Sequence, residues 1–312
     1  MLVLTEETFK GYTQDYEPFK WDRNENDFRP DTCNKHSILI NHVRYLMVLQ
    51  YIQSIKNYDT IRNIVDVGSY PGIMIHLLRD FINKNIEYHG IGLHFSEEYR
   101  LEMNKLGAKL FETEVDPDFI EAKKCNEWPI RESELVLFLD VIEHLTNPLH
   151  CLDQINKSLK MGGYLIITTD NLSDWGNAYM MFRKGRSPNI HPVQSSLFYR
   201  GDWRPHHREF TKEELEFYLK YCGFEIIKHE YFERKQGDYF IGENGKIFEM
   251  PRYSGIKGYI IKFLLKNAPH LRDHQILIAR KVIDHEVNLQ KRPNATHSMD
   301  EWLKIRKKLN VI

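Results

Sequence analysis

A chain of 312 residues with 42% hydrophobic content is long enough for one large or two modest domains and apolar enough for a packed core, which excludes a disordered chain. Lys and Arg number 43 against 44 for Asp and Glu, and a formal net charge of −1 offers no electrostatic footprint for nucleic acid, so no such partner is expected. Nowhere do about eighteen apolar residues run together, and the start, Met1-Leu2-Val3-Leu4-Thr5, has no cationic region ahead of an apolar one, so neither a membrane span nor secretion is expected. Cys33, Cys125, Cys151 and Cys222 show no CxxC spacing and read as reduced, mostly buried thiols of a cytoplasmic protein with no structural metal site.

Residues 1–60 precede the first strand signal and read as a helical cap. Aromatic residues come first (Tyr12, Tyr16, Phe19, Trp21, Phe28), and then Leu39, Ile40, Val43, Leu46, Met47, Leu49 and Ile52 recur at helical spacing over 37–55. Next comes Ile64-Val65-Asp66-Val67-Gly68-Ser69-Tyr70-Pro71-Gly72: an apolar run suited to a strand buried on both faces, then a turn. Gly68 lets the backbone turn sharply, and Pro71-Gly72 opens a helix over 73–83 whose first amides and dipole make a site for an anion. Residues 86–93, ending in Gly92-Leu93, read as the second strand, and 108–112 as the third. Cys125-Asn126-Glu127-Trp128-Pro129 is a turn. The continuous apolar run 135–139 then ends in Asp140, at the strand end where open α/β sheets bind ligands. Glu143 and His144 follow, either capping a helix over 145–159 or standing at the site.

The fifth strand, 165–169, ends in Asp170-Asn171. Residues 172–209 form an insertion too long for a plain connection; its aromatics and arginines suit a lid over a polar anionic substrate. Thr211, with Glu214 three residues on, makes a capping box for a helix over 212–221. Strands follow over 224–232 and 275–282. Between them, a second insertion (233–274) holds an apolar stretch, 256–265, interspersed with Lys257, Lys262 and Lys266. It reads as packing on the domain or on a second subunit, which would make a homo-oligomer, with a lipid surface as the alternative. The tail, 284–312, reads as linker and exposed helix.

Four of these stretches, in order, resemble the Rossmann-like S-adenosylmethionine-dependent methyltransferases of the small-molecule and glycan-pathway type. Asp66-Val67-Gly68-Ser69-Tyr70-Pro71-Gly72 is similar to the family's first motif, with Tyr70 in place of its middle glycine. Asp140-Val141-Ile142-Glu143-His144-Leu145 is similar to its Glu-His-Leu signature, Leu159-Lys160-Met161-Gly162-Gly163 to its turn before the fifth strand, and His206-His207-Arg208-Glu209-Phe210-Thr211 to a later segment. The resemblance covers 61–281. It implies a doubly wound, seven-stranded, mostly parallel sheet with an antiparallel last strand and helices on both faces, within a methyltransferase domain over 61–283.

It also implies the cofactor S-adenosylmethionine, held by Asp66, Gly68, Ser69, Tyr70, Gly72, Gly92, Leu93, Asn126, Trp128 and Asp140. Gly92 stands where the pattern has a ribose-binding acid, leaving Glu97, Glu98 or His94 to replace it. The implied reaction is methyl transfer, O-methylation in the first instance, to a small-molecule or saccharide-type acceptor. His207 and His144 are the candidate bases, because histidine titrates near neutrality, with Asp140 and Asp170 behind them. A nicotinamide dehydrogenase would need G-x-G-x-x-G and the ribose acid, which are absent. A catalytically inactive binding or scaffold subunit is the remaining alternative.

Overall fold

The alternation Ile64-Val65-Asp66-Val67 sends side chains to two sides of β1 (Asn63–Val67), and both sides are buried. Ile64 joins an apolar cluster with Leu135, Leu137, Ile166 and Ile276, whereas Val65 and Val67 join a second one with Val136, Phe138, Leu165 and Ile167. A sheet with a core on each face needs helices on both, and the computed structural model has them. It describes residues 2–15, 41–117, 127–185, 206–234, 237–241, 247–251 and 254–284.

The first core is covered by α1 (Glu6–Asp15), α2 (His42–Gln53), α3 (Ile73–Phe81) and α4 (Glu97–Lys105). The second is covered by α5 (Pro148–Ser158) and α7 (Lys212–Tyr221). The remaining strands of the main sheet are β2 (Glu87–Gly92), β3 (Lys109–Glu112), β4 (Ser133–Leu139), β5 (Leu159–Asp170), β6 (Phe224–Phe232) and β9 (His274–Lys281). Their order is β3-β2-β1-β4-β5-β9-β6, with β9 antiparallel to both neighbours and the other pairs parallel. This is the expected seven-stranded doubly wound sheet.

In the N-terminal segment, Phe9 and Tyr12 of α1 pack on Phe81 with ring centroids 5.7 and 5.3 Å apart. The helix expected over 37–55 is described from His42 and ends at Gln53. Tyr16, Phe19, Trp21 and Phe28, with Cys33 and Cys125, lie outside the described residues; Cys151 and Cys222 are free and buried.

One expected helix starts later than its sequence suggested. Asn147 accepts a hydrogen bond from the His150 amide and Pro148 takes the first helical position, so α5 begins there and not at 145. Glu143 and His144 therefore do not cap it; they form a separate 3-10 turn directly after β4.

Of the first insertion, the described part is α6 (Trp175–Lys184), capped by Asp174; 186–205 lie outside the described residues. Both ends of the insertion are joined where Asn171 bridges Phe210 and the Leu172 amide donates to Phe210 O at 3.2 Å. The second insertion holds a hairpin of β7 (Gly237–Ile241) and β8 (Ile247–Pro251), then α8 (Gly255–Asn267). Among the described residues no helix is long and apolar enough to cross a membrane.

Candidate active site

The turn after β1 is left-handed at both glycines, with φ of +78° at Gly68 and +86° at Gly72. A side chain at Gly68 would bring its Cβ within 2.5 Å of Val141 Cγ2, and one at Gly72 would meet Met103 Sδ at 3.0 Å and the Tyr99 ring at 3.2 Å. Gly72 is also the N-cap of α3 and supplies no side-chain acceptor, so the helix presents side-chain-uncapped amides to the turn. Ser69 is buried, its hydroxyl 3.3 Å from Tyr99 Oη, which itself donates to Ser69 O at 3.0 Å. Tyr70 is exposed and tilted against Tyr99, 5.3 Å between centroids. Tyr99 thus braces the loop from behind.

Asp66 points into the first core, where Tyr88 Oη donates to it; burial raises its pKa to about 7, with Tyr88 and Arg44 opposing. At the end of β2, the Phe95 ring would lie 2.7 Å from a Cβ on Gly92, and Phe95 stacks on Tyr99 at 5.2 Å. An acid at position 92 has no room beside that ring. Of its expected replacements, Glu97, Glu98 and His94 are all exposed, and His94 lies 3.7 Å from Glu112. Leu93 is half-buried beside Gly92. Trp128 is buried in the second core with its amide donating to Gln154 at 3.0 Å, and Asn126 lies outside the described residues.

Asp140, at the carboxyl end of β4 with φ of +53°, is the centre of a charged cluster. Its Oδ1 accepts from Thr168 Oγ1 at 2.7 Å and lies 3.1 Å from His274 Nε2; its Oδ2 accepts from Arg44 Nη1 and lies 3.7 Å from Arg234 Nη1. His274 Nδ1 is 2.9 Å from Asp170 Oδ1, so one buried imidazole bridges two carboxylates. Burial opposes charge on His274, but the two acids outweigh it and lift its pKa to about 10. Burial likewise opposes ionisation of Asp140 and Asp170; Arg44 and His274 hold the former, and His206 and His274 the latter, well below the usual carboxylate range. Glu143, buried and accepting from Thr169 Oγ1 at 2.9 Å, is pushed up to about 8 by burial and by Asp140 and Asp170.

His206 Nδ1 lies 3.0 Å from Asp170 Oδ2, and His144 meets the His206 ring edge-on with centroids 4.6 Å apart. His207 joins this group through its backbone, its amide donating to Glu143 O at 2.6 Å. His206 is thus the member of the pair whose imidazole lies beside Asp170.

A methyltransferase-domain family model matches residues 39–229, well over half of the chain. The chain belongs to the methyltransferase domain family. A search of curated proteins finds no match. Among solved structures, a Haloferax volcanii methyltransferase complexed with a methyltransferase activator aligns with 80% of this chain and 94% of its own at 12% identity and a TM-score of 0.50. A SAM-dependent methyltransferase from Archaeoglobus fulgidus aligns over 77% and 94% at 18% identity and a TM-score of 0.46. A 1,6-didemethyltoxoflavin N1-methyltransferase from Burkholderia thailandensis, with bound S-adenosylhomocysteine, aligns over 78% and 79% at 12% identity and a TM-score of 0.44.

The cofactor of this methyltransferase is S-adenosylmethionine, and the uncapped start of α3 with its two left-handed glycines fits the carboxylate-bearing end of such a molecule. Among the described residues, two groups of side chains have ligand-type atoms within 4.8 Å of one another: Glu143, His144 and His206, and Asp170, His206 and Glu209. Within them, His206 pairs with Asp170 and its ring meets that of His144.

Sequence reasoning missed Arg44, Arg234 and His274. Arg44 had a legible signal: it stands on the stripe Arg44, Val48, Tyr51, Ile52, which is otherwise apolar or aromatic and is buried. His274 had one too. An antiparallel strand begins where its parallel neighbours end, so the first residue of β9 must lie at the ligand edge.

Proposed function

We propose that this methyltransferase methylates a hydroxyl of a small polar acceptor of saccharide or related type, with His206 as the base and His144 beside it. The single observation that carries this reading is the His206–Asp170 pair, 3.0 Å apart at the carboxyl edge of β5, with the His144 ring against it. The sulfonium of the cofactor is already electrophilic, so the protein's task is to align the acceptor and take its proton. An imidazole oriented by a carboxylate serves that task. Burial opposes protonation of His206, yet Asp170 and Glu143 raise its pKa, which suits a group that must accept and retain a proton. Arg234, partly exposed beside Asp140 and Asp170, and Arg183 and Lys184 on α6 favour an anionic acceptor.

The test is a panel of hydroxyl-bearing sugars, nucleotide sugars and phenols, followed by conversion of S-adenosylmethionine to S-adenosylhomocysteine and by the position of the new methyl group. With an accepted substrate, His206→Ala should lower turnover by roughly 10²–10⁴ at nearly constant cofactor affinity. If His207→Ala does so and His206→Ala does not, the base is His207; methyl on nitrogen or carbon would overturn the O-methylation reading.

A further inference from the structure

The helix α8 carries its apolar residues on the wrong side for a core. Ile256, Tyr259, Ile260 and Phe263 are 83%, 74%, 59% and 62% exposed, and Leu264 is exposed too, whereas the buried positions are Gly258 and Leu265. At about 100° per residue the five exposed apolar side chains fall within an arc of roughly 140°, centred opposite Gly258 and Leu265. The helix therefore rests on the protein by a narrow strip and turns its broad apolar face outward. A face of this kind on a water-soluble surface marks an interaction site.

The charges say what it meets. On the same projection Lys257 borders one edge of the apolar arc, and Lys262 and Lys266 border the other. From 251 to 272 the chain holds no Asp or Glu, while Arg272 follows the helix. Two copies meeting through this face would bring lysine borders together with no acid on the helix to answer them. Anionic headgroups answer both borders at once. A helix of 13 residues, about 20 Å long, is too short to span the roughly 30 Å hydrocarbon layer, so it would lie in the plane of the interface with its lysines snorkelling to the headgroups.

We infer that α8 is a docking helix for an anionic bilayer surface. Its attachment is rigid on the protein side: Arg272, just after it, donates to Leu265 O at 3.3 Å and to Tyr231 O at 2.9 Å, tying the end of α8 to β6. Asn171 Nδ2 donates to His270 O at 2.8 Å and Arg272 O at 2.7 Å, so the segment between α8 and β9 is bonded to the ligand edge of β5. Docking through α8 would hold that edge at a fixed setting relative to the bilayer.

The full-length protein should be sedimented with vesicles of phosphatidylcholine alone and of phosphatidylcholine with phosphatidylglycerol, at low and high salt. Binding is expected to the anionic vesicles only, weakened by salt and by Lys257→Gln/Lys262→Gln/Lys266→Gln, and lost in Ile260→Asp/Phe263→Asp. Both variants change exposed positions, and circular dichroism checks that they fold. Absence of binding to anionic vesicles at low salt overturns the inference, as does undiminished binding by a folded Ile260→Asp/Phe263→Asp variant. A dimer seen by light scattering and broken by that variant, without vesicle binding, would assign the face to a second copy and equally overturn it.

Discussion

Arg44, on the helix that precedes the sheet, donates its Nη1 hydrogen to the carboxylate of Asp140 at the end of β4, and both side chains are nearly buried. The pair joins the N-terminal segment to the ligand edge across 96 residues of chain. Burial costs each ion several kcal/mol, repaid only while both partners and their hydrogen bonds are present. Arg44 is satisfied further by donating to Tyr45 Oη at 3.0 Å.

Removing the second partner should therefore cost less than removing the first. Arg44→Met or Asp140→Asn alone should lower unfolding free energy by about 3–5 kcal/mol, and the double variant by less than the sum. Urea unfolding of the four proteins measures this cycle. Additive losses would mean that the two groups do not act as a pair.

The loss of stability on the alkaline side follows from three buried groups. Glu143 rises from 4.5 to about 8, Asp66 from 3.8 to about 7, and His274 from 6.5 to about 10. Each holds its proton more tightly when folded, so the stability tied to it is complete below the unfolded value and is lost as pH rises through the folded one. Asp140 and Asp170, whose pKa values are depressed, run the other way and give stability that disappears on acidification below 3.8. Stability should thus peak in weak acid, and the urea midpoint should fall from about pH 6 to about pH 9. Glu143→Gln keeps a neutral side chain there and should flatten the slope; an unchanged slope would remove Glu143 from the explanation.

Gly68→Ala tests the cofactor turn. Left-handed backbone costs a non-glycine residue roughly 1–2 kcal/mol, and the new methyl would meet Val141 Cγ2 at 2.5 Å. Both stability and S-adenosylmethionine affinity should fall, with Val141→Ala in the same chain restoring part of the stability. Calorimetry for affinity and thermal unfolding for stability separate the two effects. A Gly68→Ala protein with full stability would show that the loop relaxes freely.

Gly92→Asp would restore the acid of the family pattern, yet Phe95 leaves it no room. The single variant should lose stability and cofactor affinity together, and Gly92→Asp/Phe95→Ala should recover part of the affinity. Tighter binding by Gly92→Asp alone would contradict the packing argument.

The sheet was legible because its signals are local. The largely apolar stretch at 64–67, the continuous apolar run at 135–139, two glycines flanking a turn, and the Thr211–Glu214 capping box each act within a few residues of chain. So did the placement of Asp140 and Asp170 at strand ends, since every parallel strand delivers its last residues to the same edge. The charged cluster was not legible in this way. Arg44, Asp140, Asp170, Arg234 and His274 come from five separate stretches and meet only because α2 folds across the sheet while β9 enters antiparallel between β5 and β6. The choice of His206 over His207 facing Asp170 depends on which way the backbone is turned by the His207 amide bond to Glu143 O, a contact across 64 residues. The outward apolar face of α8 has the same origin. Its sequence specifies an apolar stripe with lysine borders, but which side of that helix meets the protein was decided by packing at Gly258 and Leu265.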